Sequence, residues 1–141
     1  MNKTTSITSI IAVAALVIPG AALAQDADQP LYVAVDCMKS ATPDYVNVES
    51  DIWQPMHQHM VNQGKRNSWA LYWVRYGDRS RCDSYTVTTS RGQEQLDYDP
   101  DYGEVFAAAH PGKDVGKAMA RTFRSRQQGS SELGLMVDRP E

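Results

Sequence analysis

Apolar and polar positions change period several times along the chain, and each change marks an element. From Leu31 to Met38 they alternate, Val33, Val35 and Cys37 against Tyr32, Ala34 and Asp36, the period-two pattern of a strand with two usable faces. Thr42-Pro43-Asp44 then supplies a helix start, proline being tolerated in the first turn. Tyr45, Val48, Ile52, Met56 and Met60 follow at three- and four-residue spacing, the stripe of a core-facing helix, and Gly64 closes it. Pro55 lies inside that helix. It lacks an N–H and clashes with the preceding turn, which predicts a kink near Asp51-Ile52. Trp69 to Tyr76 is dense in aromatic and β-branched residues and reads as a second strand. Cys82 to Thr89 reads as a third, joined to the second by a polar turn as a hairpin. Residues 90–101 are polar and turn-rich. A helical pattern returns at Tyr102 to Ala109, breaks at Pro111-Gly112 and resumes from Lys113 to about Gln128, with Val115, Met119 and Phe123 on one face. Leu133, Leu135 and Val137 alternate in a last short strand.

The order is β-α-β-β-α-β. It predicts an α+β fold of ferredoxin-like plan, a four-stranded antiparallel sheet with helices on one face and strands in the spatial order 4-1-3-2. The expected domain covers residues 31–138, after a polar leader at 25–30. Residues 1–24 carry the pattern of a secretory signal peptide: Lys3, no acidic residue before Asp26, an apolar stretch around Ile10 to Ile18, a break at Pro19-Gly20, and Ala22-Leu23-Ala24 as a cleavage site. The apolar stretch is shorter than the roughly 20 residues a membrane span needs. The mature domain is therefore expected in the periplasm or the medium. The formal net charge of −3 gives no reason to expect nucleic acid or an anionic membrane as a partner.

Cys37 and Cys82 are the only cysteines, and their spacing fits no zinc motif. In an oxidising compartment two cysteines read as a disulfide; two buried free thiols are the plainer alternative. The 4-1-3-2 order makes the first and third strands antiparallel neighbours, which brings the end of one, near Cys37, beside the start of the other, near Cys82.

The run YVAVDCMK, the helix containing DIWQPMHQHM and ending in NQGK, and the run WALYWVRY together resemble uncharacterised exported bacterial proteins related to the dimeric α/β-barrel superfamily. That resemblance covers most of the mature chain and speaks to fold more than to chemistry. It implies a homodimer in which the open sheet face of one subunit packs on that of the other, and a cavity between sheet and helices. The superfamily includes cofactor-free monooxygenases, haem-handling enzymes, muconolactone-type isomerases and binding proteins, and fold does not choose among them.

No catalytic motif stands out. His57 and His59 are two apart, so on a helix they point roughly 200° from each other and cannot share one metal. His57 lies four residues after Trp53 on a shared face. It could ligate haem or act as a base, but the motif context of the haem families is missing, and the plainer reading is an ordinary polar histidine. The acidic stretch Asp97 to Gly103 fails the EF-hand pattern, with Tyr102 and Ala108 where glycine and glutamate belong. It reads as a solvated turn feeding a helix N-terminus, and no metal is expected. The basic residues Lys113, Lys117, Arg121, Arg124 and Arg126 read as a solvated helix face. The aromatic group is the most suggestive. Trp53, Trp69, Tyr72, Trp73 and Tyr85, with His57, make an expected pocket for a small apolar or aromatic molecule, with no cofactor; core packing alone would account for about half of them. Strand alternation puts Trp69 and Trp73 on one face and Tyr72 and Tyr76 on the other. An enzyme of the same superfamily, monooxygenase-like or haem-using, and a purely structural interaction module are the competing expectations.

Overall fold

The computed structural model describes residues 29–136. The expected leader at 1–24, its cleavage point at Ala24 and the outer end of the last strand at Val137 lie outside them. Strand β1 (Leu31–Ser40) runs through the middle of the sheet. It pairs antiparallel with β3 (Ser84–Arg91) on one side and β4 (Arg126–Leu135) on the other, and β2 (Ser68–Trp73) pairs antiparallel with β3. The sheet is thus four-stranded, in the order β2-β3-β1-β4.

The register sorts the strand residues into two faces. Asp36 lies opposite Thr86, which faces Leu71; Ala34 pairs with Thr88, which faces Trp69; Met38 pairs with Ser84, which faces Trp73. This row faces the helices. The other face carries Val35, Val87 and Ala70, and beside them Cys37, Tyr85 and Tyr72. It bears no helix among the described residues.

The first helical run is built in three parts: α1 (Tyr45–Val48), a wider π turn over Glu49–Trp53, and α2 (Gln54–Asn62). Pro55 explains the widening. With no N–H to give at Pro55, the helix loosens by one residue, and the Gln54 N–H reaches back to the Glu49 carbonyl. A π turn thus lies where the kink was expected. The Ile52 carbonyl inside it accepts from Nε2 of the buried His110 at 2.9 Å, which places the proton of that imidazole on Nε2. Gly64, at φ +68°, ends the run in the left-handed conformation that suits glycine, and the Lys65 N–H closes it on the Met60 carbonyl.

Val48, Ile52, Met56 and Met60 are buried, as their spacing predicts. They meet Val105 and Phe106 of α4 (Tyr102–Ala109), so the apolar core sits largely between helices. Asp101 caps α4, its carboxylate accepting from the N–H groups of Gly103 and Glu104 at 2.8 and 3.1 Å. That is the use of the acidic turn. A short helix α3 (Gly92–Leu96) occupies part of the stretch expected to be irregular.

Helix α5 (Val115–Ser125) ends three residues before the expected boundary, and β4 begins at once. Arg126 leaves the helix because its side chain is tied to the buried Glu49 and its backbone pairs with Ser40. Of Val115, Met119 and Phe123, expected on one face, Met119 packs against the core while Val115 is exposed and Phe123 is 78 % exposed; the inward face is made by Ala118, Met119, Thr122 and Ser125. β2 stops at Trp73 rather than Tyr76, and Tyr76 stands in the solvent-exposed turn.

Cys37 and Cys82 form a disulfide, Cα atoms 5.4 Å apart. The neighbouring-strand geometry holds with one adjustment. The ladder partner of Cys37 is Tyr85, and Cys82 sits in the approach to β3, where the Asp83 N–H bonds to the Met38 carbonyl. Gly129 is the extra residue of a bulge between β1 and β4, and a Cβ there would lie 2.9 Å from the Cys37 sulfur. Glycine is needed because the disulfide fills that space.

Candidate functional site

A cleft of about 320 Å³ lies between the sheet and the helices. Its floor is polar for a buried sheet face. Asp36, Thr86 and Thr88 alternate with residues of the open face, and Gln128 joins them from β4. The Asp36 carboxylate accepts from the Thr86 hydroxyl (3.4 Å), the Gln128 amide (3.1 Å) and the Ser131 hydroxyl. The roof comes from the first helical run. Glu49, Trp53 and His57 are spaced four apart on the stripe adjacent to the apolar one, so that packing Met56 and Met60 against α4 turns Glu49, Trp53 and His57 to the sheet. Tyr102 of α4 and Arg66, in the link before β2, close the rim.

The aromatic groups form a continuous wall. Trp69 and His57 stack with centroids 4.8 Å apart and planes 7° from parallel. Trp53 lies 6.1 Å beyond His57, and Tyr102 meets Trp53 edge-on at 5.7 Å. The Trp53 indole N–H donates to the Thr122 hydroxyl at 3.2 Å, which locks the ring. The Arg126 guanidinium lies 4.7 Å over the Trp53 ring and donates to the fully buried Glu49.

The electrostatics follow from this enclosure. Burial pushes the Glu49 carboxyl above its ordinary value, and the Arg126 charge and hydrogen bond oppose the rise. Burial, with Arg66 and Arg126 nearby, pulls His57 down to about 3, so the ring is neutral near pH 7. Three buried polar atoms have no hydrogen-bond partner among the described residues: Glu49 Oε2, His57 Nδ1 and Arg66 Nε. All three belong to residues that line this one cleft. Buried polar atoms are ordinarily paired, so three exceptions in one place need a common cause.

Of the aromatic residues singled out by the sequence, the structure brings Trp53, His57 and Trp69 together. Tyr72 and Tyr85 are cross-strand partners on the open face, because they stand at odd spacing from Trp69 and Thr86. Trp73 shares the helix face with Trp69 but lies past the cleft, 46 % exposed, against Tyr45 at 6.3 Å and under the Arg79 guanidinium. Sequence patterns did not single out Asp36, Glu49, Arg66, Thr86, Thr88, Tyr102, Arg126 or Gln128 as site residues. For Glu49 a signal was there: it precedes Trp53 by four residues and His57 by eight. His59 does not line the cleft and instead borders a smaller hollow of about 220 Å³ with Tyr98 and Glu104.

A second cavity of about 330 Å³ lies between helices, lined by Ile52, Phe106, His110 and Arg121. Arg121 there holds Asp44 through two 2.7 Å bonds and also reaches Asp51, and Lys113, Asp114 and Lys117 line the same cavity. Among the described residues no three His, Cys, Asp or Glu side chains are placed to share a metal ion. No described helix is long and apolar enough to cross a membrane. Comparison with protein-family models, with curated proteins and with solved structures finds no match.

Proposed function

We propose that this chain is an exported domain of ferredoxin-like, dimeric α/β-barrel type that binds a small polar molecule in the cleft beneath its helices. The observation that carries the reading is that three buried, unpaired polar atoms, Glu49 Oε2, His57 Nδ1 and Arg66 Nε, belong to residues lining one cavity. A wholly apolar ligand would leave all three unpaired, each at a cost of about 1–3 kcal/mol. The expected ligand is therefore not purely apolar: it has an aromatic or otherwise flat face for the wall and hydrogen-bonding groups for the rest. The volume is at the lower end of the range for ligand pockets and suits a compact molecule better than a porphyrin.

Binding fits better than acid–base catalysis. A general base works best with a pKa near the working pH, and His57 is held near 3. Export is supported by the leader pattern and by the disulfide, and dimerisation by the apolar open face. Native mass spectrometry of the protein purified from its own host tests the binding claim. A retained small molecule, lost in His57→Arg (which fills and charges the cleft), is expected. A bare chain mass from several gentle preparations would count against it.

A further inference from the structure

We infer that the molecule held in the cleft is a small carboxylate and that Arg66 is the group that receives it, an inference resting on the binding reading above. The two guanidiniums of the cleft are in different circumstances. Arg126 donates to Glu49 and lies over Trp53, so its charge is matched within the fold. Arg66 has no carboxylate partner among the described residues. Its bond there is a long one, Nη2 to the Tyr102 hydroxyl at 3.5 Å, and its Nε is buried with no acceptor.

Nε–H and the neighbouring Nη–H of a guanidinium run parallel, and that edge takes both oxygens of a carboxylate at once. A neutral carbonyl would serve one of the two and leave the charge unmatched. The formal charges of the cleft sum to zero, so the anion is selected by the open Arg66 edge and not by a positive cleft. Asp36 is held by the neutral donors Thr86, Gln128 and Ser131, Glu49 is held by Arg126, and His57 is uncharged near neutral pH. A phosphate dianion would bring a second negative charge beside two carboxylates and so fits less well. Glu49 Oε2 has no donor, which a hydroxyl on the same molecule would supply.

The chain has three tryptophans, and their indole N–H groups give separate NMR signals. Trp53 and Trp69 line the cleft and Trp73 lies outside it, so Trp73 is an internal control. The probes are 4-hydroxybenzoate and D-glucuronate, each against its neutral amide, titrated into wild type, Arg66→Gln and Arg66→Lys. The expected result is that at least one acid moves the Trp53 and Trp69 signals and binds at least tenfold tighter than its amide. Arg66→Gln removes that preference and Arg66→Lys restores part of it. Acids that bind no tighter than amides, acids that bind Arg66→Gln as well as wild type, or no shift with either acid would each overturn the carboxylate assignment. If the amides alone move the cleft signals, the binding reading survives and the Arg66 inference falls. A retained molecule that carries no acid group, seen by mass spectrometry, has the same consequence.

Discussion

His57 sits where burial keeps it neutral, and this makes the response of the fold to acid calculable. Its pKa is about 3 in the folded chain against an ordinary 6.5. Between those values the unfolded chain binds a proton that the folded chain refuses. Stability therefore falls as pH drops from 6.5 towards 3, by up to roughly 1.4 kcal/mol per unit from this one group. His57→Phe keeps a flat ring on Trp69 and removes the titration. Its denaturant midpoint should fall less than that of wild type between pH 7 and pH 4.5; equal falls would assign the acid sensitivity elsewhere. The two strand tryptophans separate in the same kind of experiment. A fully buried tryptophan cut to alanine costs about 3–5 kcal/mol. Trp73 is nearly half exposed, so Trp73→Ala should cost well under that and less than Trp69→Ala, which also loses the His57 stack. Strand alternation alone assigns both to the correct face. It could not show how far along that face the helices reach, because cover is a property of the assembled layers.

The first helical run shows what spacing can and cannot reveal at the scale of an element. The Val48, Ile52, Met56, Met60 stripe was plain, and Met56→Ala should cost about 2–5 kcal/mol by chemical denaturation. A loss below about 1 kcal/mol would mean that the helix pairing with α4 is loose. The neighbouring polar stripe was hidden, since Glu49 reads as an exposed residue until tertiary packing turns it inward. The first part of β4 was hidden for a related reason, while its end was legible from Leu133 and Leu135. It is an edge strand, with Gln127, Gln128, Ser130 and Ser131 in its first half, so the alternation that betrays a half-buried strand is missing there. Helical propensity through Arg124 gives way to pairing with β1 and to the Glu49–Arg126 contact. The disulfide was legible because strand order and compartment pointed the same way. It closes a 45-residue separation, and replacing both cysteines by serine should lower stability by about 2–5 kcal/mol. Intact mass with and without reductant gives the pairing directly, and two alkylatable thiols before reduction would contradict it.

At the scale of the molecule, the unusual feature is where the polar groups are. The core lies between helices, while the layer between helices and sheet, ordinarily the greasiest part of such a fold, holds Asp36, Glu49, His57, Arg66, Arg126 and two threonines around a cavity. The opposite sheet face carries Val33 and Val35 of β1 beside Val87 and Tyr85 of β3 as an apolar patch. Sedimentation at micromolar concentration should give a dimer through that face, and Val35→Lys should shift it to monomer without disturbing the cleft; a wild-type monomer would remove the barrel-type assembly from the proposal. Everything proposed for function depends on the cleft being a place for a ligand rather than an imperfectly closed core. Crystals of protein purified from its own host, without added ligand, decide that most directly. Continuous density in the cleft, within hydrogen-bond distance of Glu49 Oε2 and Arg66 Nε, is the expected result. A collapsed cleft, with Arg66 paired to a carboxylate of the chain and no density between Trp53 and Thr86, would contradict it.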